Sequence, residues 1–496
     1  MLAPSPTLTH PSSIMKSPPR RFALLLLAFL LSASSAAAEL RLPKIFGDHM
    51  VLQNGEEINV WGWAEPGAAV VASFAAQSVT AFADKEGRWI LKLPEQKPNS
   101  KGQELKVSSK DEAIALTDIL VGEVWLCSGQ SNMQWAMNRS QHGKEEIAKA
   151  DHPEIRLFAI KNRVAATPQD DVPHAWTACT PQTAAGFTAV GYHFGEALQR
   201  ELKMPIGLIQ SAWGGTEIEP WTPHDGFAKH DSLKNLAKQV AELKPGSAIG
   251  NKTPSAIYNA MIHPLAPFSL RGAIWYQGES NCLKGDTAIY TDKTHALVDG
   301  WRSVFQQEDL PFYFVQLAPF NYRKAFAKRN ASLTTESLPE FWDAQVACLS
   351  EIANTGMAVV TDITGSVTNI HPPNKRDVGQ RLALWALAKD YGRDDLVYSG
   401  PIFKSLALGA GKATLSFDHV GGGLVSDDDN ELSQFTIAGS DMKFVPAKAI
   451  INGDTIEVSS PDVPQPTAVR YAWHETAVGN LANKDGLPAS PFRTDR

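Results

Sequence analysis

Between residues 119 and 392 six short apolar runs alternate with stretches of helical length, and this alternation constrains the fold more than any other feature of the chain. The runs are ILVGEVWLCSG (119–129), IRLFAI (155–160), PIGLIQSAW (205–213), LRGAIWYQG (270–278), PFYFVQLA (311–318) and GMAVVTDI (356–363). They read as strands buried on both faces, and a sheet buried on both faces needs helices above and below it. GYHFGEALQREL, YTDKTHALVDGWRSVFQ, LPEFWDAQVACLSEI and KRDVGQRLALWALAKDYG are the helices available. Alternating β and α with short links predicts an α/β fold with a parallel sheet. Its functional site is expected beyond the C-terminal ends of the strands.

The flanks have another rhythm. Residues 39–117 carry short runs broken by turn signals, as in INVWGWA, EPG, AVVASFA, DKEG and RWILKLP, which is the punctuation of a small antiparallel β-sandwich. Trp61, Trp63 and Trp89 are read there as core rather than as a sugar platform. From about Ser399 period-two stretches return, so 118–398 is expected as the central domain, 399–476 as a C-terminal β-rich domain, and 477–496 as a tail packing back on the centre or lying loose. A chain of 496 residues exceeds what one core usually organises, in keeping with several domains.

Residues 1–38 read as a signal peptide: Lys16, Arg20 and Arg21 precede the apolar run FALLLLAFLL and the small-residue stretch SASSAAA. The run is shorter than the ~20 residues a membrane span needs. Export to the periplasm or the extracellular space is therefore expected, with no integral membrane association after cleavage. A net charge of -7 argues against nucleic acid as a partner. Cys127, Cys179, Cys282 and Cys348 lack CxxC spacing, so no zinc site or dense disulfide framework is indicated, and one or two disulfides or buried thiols both remain open.

Three polar motifs follow three of the predicted core strands: GQSNM after the first, WGGTEIEPW after the third and WYQGESN after the fourth. A further motif, NIHPPNK, leads into the last helix. On a parallel sheet these loops share one rim. Acyl transfer needs a nucleophile, a base in hydrogen-bond reach and donors aimed at a developing oxyanion. Ser131 in a strand-to-helix turn supplies the nucleophile, although Met133 stands where the hydrolase elbow Gly-x-Ser-x-Gly would have its second glycine. His371 supplies the base, with His263 as the rival. Oxyanion donors are expected from the backbone of Ser131, Gly214 and Gly215 and from the side chain of Gln277 or Asn281. Glu217 and Glu279 could shape the pocket or form a glycosidase carboxylate pair.

These motifs, together with FGDHMVLQ, VWGWAEPG, YNAMIHPL and GLPASPFRTD in the same order, resemble those of the sialate O-acetylesterase group of SGNH-type hydrolases, over most of the chain beyond residue 38. The resemblance implies a flavodoxin-like three-layer α/β/α catalytic domain with accessory β-sandwich or jelly-roll domains, and hydrolysis of acetyl esters on carbohydrates without metal or other cofactor. It matches Ser131 to the nucleophile, His371 to the base and the Gly214-Gly215 pair to the backbone donor, with Gln277 preferred to Asn281 as the side-chain donor. The sequence departs from the group at the acid: Thr368 and Asn369 stand where an Asp is usual. Asn369, a backbone carbonyl or Asp362 is left to orient His371, and a pKa near the unperturbed value of about 6.5 is expected for the base.

The substrate implied is an acetylated oligosaccharide. None of the four motifs contains Arg, which favours neutral sugars of hemicellulose or xyloglucan type over O-acetylated sialic acid, with Trp135, Trp213, Trp221 and Trp275 as stacking surfaces and Glu217 and Glu279 as polar contacts. From another class, a non-catalytic carbohydrate-binding protein built on the same scaffold would account for the missing Asp.

Overall fold

A computed structural model describes residues 39–409 and 411–495; the targeting segment expected over 1–38 lies outside the described residues. All six apolar runs form strands. In chain order the central elements are β1 (Glu112–Gly129), α1 (Ser131–Gln134), β2 (His152–Ala159), β3 (Thr177–Cys179), α2 (Ala189–Leu202), β4 (Ile206–Ala212), β5 (Gly272–Tyr276), α3 (Glu279–Lys284), α4 (Tyr290–Phe305), β6 (Phe312–Val315), α5 (Ser337–Glu351), β7 (Thr355–Ala358) and α6 (Arg376–Asp390). The strands lie in the order β7-β6-β5-β1-β4-β2-β3. All neighbours are parallel except the edge pair β2–β3.

Helices cover both faces. Trp125 on β1 packs edge-on against Phe194 of α2, and Trp275 on β5 packs edge-on against Trp301 of α4. Because Trp125 is in register with Gly272, Trp275 lies an odd number of residues further on and faces the opposite side. This double burial explains why the strands read as unbroken apolar runs rather than as alternation. From β1 the chain passes to β2 and β3 and returns to β4 beside β1, then crosses to β5 and winds outward through β6 to β7, so the switch lies at β1 and β5, where crevices open at the C-terminal edge of an α/β sheet.

β1 is 18 residues long and belongs to two sheets. Its first half pairs antiparallel with Asn99–Ser109 of the N-terminal part, and its second half pairs with β4 and β5. Position 118 therefore falls inside one continuous strand. In the N-terminal part Ile58–Trp63 and Arg88–Leu93 pair antiparallel with alternate residues buried, Trp89 is buried, and Trp61 meets Phe46 edge-on at 4.7 Å.

Beyond α6 a second apolar core holds four-stranded and smaller antiparallel sheets. The final residues contribute strands Leu481–Asn483 and Phe492–Arg493 to these sheets. They also reach the central layer: Gln316 Nε2 donates to Ser490 Oγ at 2.8 Å, and Arg493 pairs with Asp343 of α5. All four cysteines are free and buried. No helix among the described residues is long and apolar enough to cross a membrane.

Candidate active site

The loop after β1 shows why its glycine matters and why a second one is not needed. Gly129 has φ +136°, and a Cβ there would lie 2.2 Å from the Tyr276 carbonyl oxygen of β5, so only glycine fits. Gln130 N then donates to that same carbonyl at 2.9 Å, which turns the chain so that Ser131 begins α1 at the rim. Met133 points into the core, fully buried, and its sulfur accepts from Thr188 Oγ1. The turn is closed by packing at Met133, so the glycine of the tighter elbow has no steric task here.

His371 reaches the same rim from the long loop after β7, and its Nε2 lies 2.9 Å from Ser131 Oγ. With Nε2 accepting from the hydroxyl, the neutral ring carries its proton on Nδ1. Among the described residues no carboxylate meets Nδ1. The imidazole instead lies on the Trp135 indole, with centroids 4.8 Å apart and planes 24° apart. Asn369 acts one step back, its Oδ1 accepting from the His371 backbone N–H at 3.0 Å. Asp362 is corrected as an orienting acid: both of its oxygens are held at 2.6 Å by the Arg381 guanidinium. The rival base His263 is occupied elsewhere, its Nδ1 bonded to the Gln169 carbonyl.

Beneath the pair lies a clamp that sequence reasoning missed. Asn132, next to Ser131, donates through Nδ2 to the Ile370 carbonyl at 3.1 Å and to Glu279 Oε1, while its Oδ1 accepts from Lys375 Nζ. The serine turn and the histidine loop are thereby tied through one buried amide. Lys375 is fully buried, with its ammonium 5.2 Å from the centre of the Tyr276 ring. Burial pulls Lys375 down to about 7 despite the opposing pull of Glu279, and burial raises Glu279, whose Oε2 has no hydrogen-bond partner among the described residues. His371 is lowered to about 4, first by burial and then by the charges of Lys375 and Arg139. The value near 6.5 expected from sequence is thus corrected, because neither cation could be placed beside the ring before the loops were folded.

Of the expected oxyanion donors, Gly214 lies against Ser131, whereas the side chains of Gln277 and Asn281 are engaged elsewhere. A Cβ on Gly214 would stand 3.2 Å from Ser131 Cβ, so the glycine brings main chain directly against the serine. Its N–H donates to Gln134 Oε1 at 2.8 Å. Gly215 takes φ +76°, a left-handed turn that suits glycine. Gln277 and Asn281 are corrected as oxyanion donors. Gln277 Nε2 is shared among Gln130, Thr216 and Asn281, and its Oε1 accepts from Tyr290. Asn281 Nδ2 serves Glu219 and Asp286, and its Oδ1 holds the Ile218 N–H. Both amides are buried struts that fix the Trp213–Trp221 loop behind the site.

The tryptophans divide in two. Trp135 and Trp213 are half-buried at the rim, with Trp135 Nε1 donating to the Arg139 carbonyl at 3.0 Å. Trp221 and Trp275 are corrected as stacking surfaces: they are at most 1% exposed and pack edge-on against each other. Glu217 pairs with Lys252 and Lys284, whereas Glu279 is sealed beneath Asn132. These separate partners do not make a glycosidase pair across a shared cleft. Arg139 was also missed. It is exposed, and its guanidinium lies 3.9 Å over the Trp135 ring.

Residues 121–384 match the family model described as carbohydrate esterase, sialic acid-specific acetylesterase. The chain belongs to this family. Among relatives of the esterase are the sialate O-acetylesterases of Mus musculus, 28% identical over 96% of this chain and 98% of that one, and of Homo sapiens, 29% identical over 92% of each. A solved carbohydrate acetylesterase from Xanthomonas citri superposes with a TM-score of 0.82 at 38% identity, covering 92% of this chain and 99% of that one. The esterase is accordingly a carboxylic ester hydrolase of the carbohydrate acetylesterase kind, which sets aside the non-catalytic binding protein.

Proposed function

We propose that the esterase removes acetyl groups from sugar hydroxyls through a Ser131–His371 dyad. Ser131 Oγ attacks the acetyl carbonyl while His371 Nε2 takes its proton, and the backbone N–H groups of Ser131 and Gly214 receive the oxyanion once Gln134 turns aside. His371 then protonates the departing sugar oxygen, and water, deprotonated by the same nitrogen, releases acetate. The observation that carries this reading is the 2.9 Å contact between Ser131 Oγ and His371 Nε2. Intact-mass labelling by a fluorophosphonate tests it: one adduct is expected on the native chain and none on Ser131→Ala. An undiminished adduct on that variant would refute it.

The substrate reading is a neutral, hemicellulose-derived acetylated oligosaccharide such as acetylated xyloglucan, met after export, with the half-buried Trp135 and Trp213 as the surfaces beside Ser131. Residues 118–398 carry the chemistry in this reading and the flanking β parts support it. Arg139 favours a second reading, an O-acetylated sialic acid: it is an exposed cation with no salt-bridge partner among the described residues, in position for a sugar carboxylate. Acetate release from acetylated xyloglucan, acetylated xylan and O-acetylated sialic acid, each measured with native enzyme and Arg139→Ala, separates the two. Loss confined to the anionic sugar supports the second reading. A native rate higher on the neutral polymers, unchanged in the variant, supports the first.

A further inference from the structure

Away from the serine, two imidazoles and a carboxylate converge on one point between α4 and the segment after the Trp213–Trp221 loop. His295 and Asp299 are one turn apart on α4 and so share a face. His230 comes from the turn that ends the short helix His224–Ala228. His230 Nε2 lies 3.6 Å from Asp299 Oδ2, His295 Nε2 lies 3.7 Å from Asp299 Oδ1, and the two rings are 4.8 Å apart. One ligand atom from each residue falls within 4.8 Å of the other two.

The backbone holds this triangle closed. A Cβ on Gly226 would meet the Ala296 carbonyl oxygen at 2.1 Å, and one on Gly300 would meet the Pro223 ring at 2.3 Å, so the segment and α4 approach as closely as main chain allows. Phe227, Leu233, Ala237 and Ala296 form a small apolar cluster of their own beside it. The three polar side chains have no hydrogen bond within the described residues, and His230 Nε2 is shielded from solvent with none to satisfy it. Each is nonetheless only partly buried, with side chains 16%, 34% and 27% exposed for His230, His295 and Asp299, so an ion has a route in.

A second cluster, Glu146, His193 and Glu196, is less suited. Glu146 is already engaged by Arg376, and Glu196 lies within ion-pair distance of both His193 and His152.

We propose that His230, His295 and Asp299 form a structural site for a divalent cation of the zinc class, with water completing its coordination. Two imidazole nitrogens and one carboxylate oxygen suit zinc, cobalt or nickel, whereas calcium and magnesium favour all-oxygen shells. Metal–ligand bonds of about 2.0–2.2 Å place tetrahedral ligands roughly 3.3–3.5 Å apart; the two His–Asp separations, 3.6 and 3.7 Å to different Asp299 oxygens, lie near that spacing, and with all three ligand atoms within 4.8 Å of one another, binding would draw the triangle closer. The ion would pin the 222–241 segment to α4. That segment continues from the loop bearing Gly214, so the metal would steady one wall of the active site from outside without entering the chemistry.

The test uses tag-free, metal-stripped full-length esterase titrated with zinc chloride by calorimetry, alongside melting curves with zinc chloride or calcium chloride. The native protein is expected to bind one zinc equivalent more than either His295→Ala or Asp299→Asn. Its melting point is expected to rise by about 2–4 °C with saturating zinc and not with calcium. Both substitutions are at partly exposed positions, and circular dichroism and the metal-free melting point check that each variant is folded. Absence of zinc binding by the native chain, or the same stoichiometry and thermal shift in folded variants, overturns the proposal.

Discussion

Activity should persist well below the pH at which an ordinary histidine becomes protonated. His371 has to be neutral to accept the Ser131 proton, and burial together with Lys375 and Arg139 lowers it to about 4. At pH 5 a base of that pKa is about 90% neutral, whereas one at about 6.5 is about 3% neutral, so the expected rate differs roughly 30-fold between the two cases. The assay is acetate release under kcat/KM conditions from about pH 3.5 to 8, with protein integrity followed by circular dichroism at each point. Lys375→Met removes the buried cation, so protonation becomes easier and the acid limb should move upward. It should stop short of about 6.5, because burial is the leading cause of the shift and survives the substitution. Arg139→Gln should move the limb in the same direction and by less. An acid limb near 6.5 in the native enzyme, or a Lys375→Met limb that stays put or moves down, would refute the electrostatic account of His371.

Three further outcomes follow from the same geometry. Ser131→Ala should lower kcat by about 10⁴ or more while leaving the melting point within about 2 °C, checked by acetate release and calorimetry. Asn369→Ala removes a bond to the His371 backbone and not to its ring, so it should cost about tenfold in kcat/KM against a thousandfold or more for His371→Ala; comparable losses would show that a polar residue before the histidine is required. Gly129→Ala forces a side chain against the Tyr276 carbonyl from a left-handed backbone, and a loss of about 3 kcal/mol or more is expected in urea unfolding.

The α/β core was legible because its signal is local. A strand such as Ile206–Ala212, buried at every position, cannot hide its apolar run, and the helix over Arg376–Asp390 shows its period within two turns. The rim was legible for a second reason: a parallel sheet delivers the ends of β1, β4 and β5 to one edge whatever the loop lengths, which is how Ser131 and Gly214 come to touch. What escaped reading depends on contacts between distant segments. Lys375 looks like any surface lysine at a helix start until Asn132, 243 residues away in sequence, accepts its proton donor in the interior. Gln277 has the composition of an oxyanion donor, but Gln130, Thr216, Asn281 and Tyr290 have already taken both ends of its amide. Trp221 and Trp275 are the same residue type as Trp135, and only the packing of α4 determines that they face inward.

Strand β1 ends two residues before the serine and begins in another sheet. The front β-sandwich and the nucleophile turn are therefore successive stations on one strand, which bends at the bulge around Asp118 (φ +55°) without breaking. Such an enzyme cannot be trimmed to a minimal hydrolase by cutting ahead of residue 118, because the cut would unpair the central strand from Asn99–Ser109. For the same reason the sandwich is an unsuitable module for exchange: recombination at that junction would break the spine on which the reactive hydroxyl is mounted. Descent should keep the two parts together even where their sequences drift at different rates.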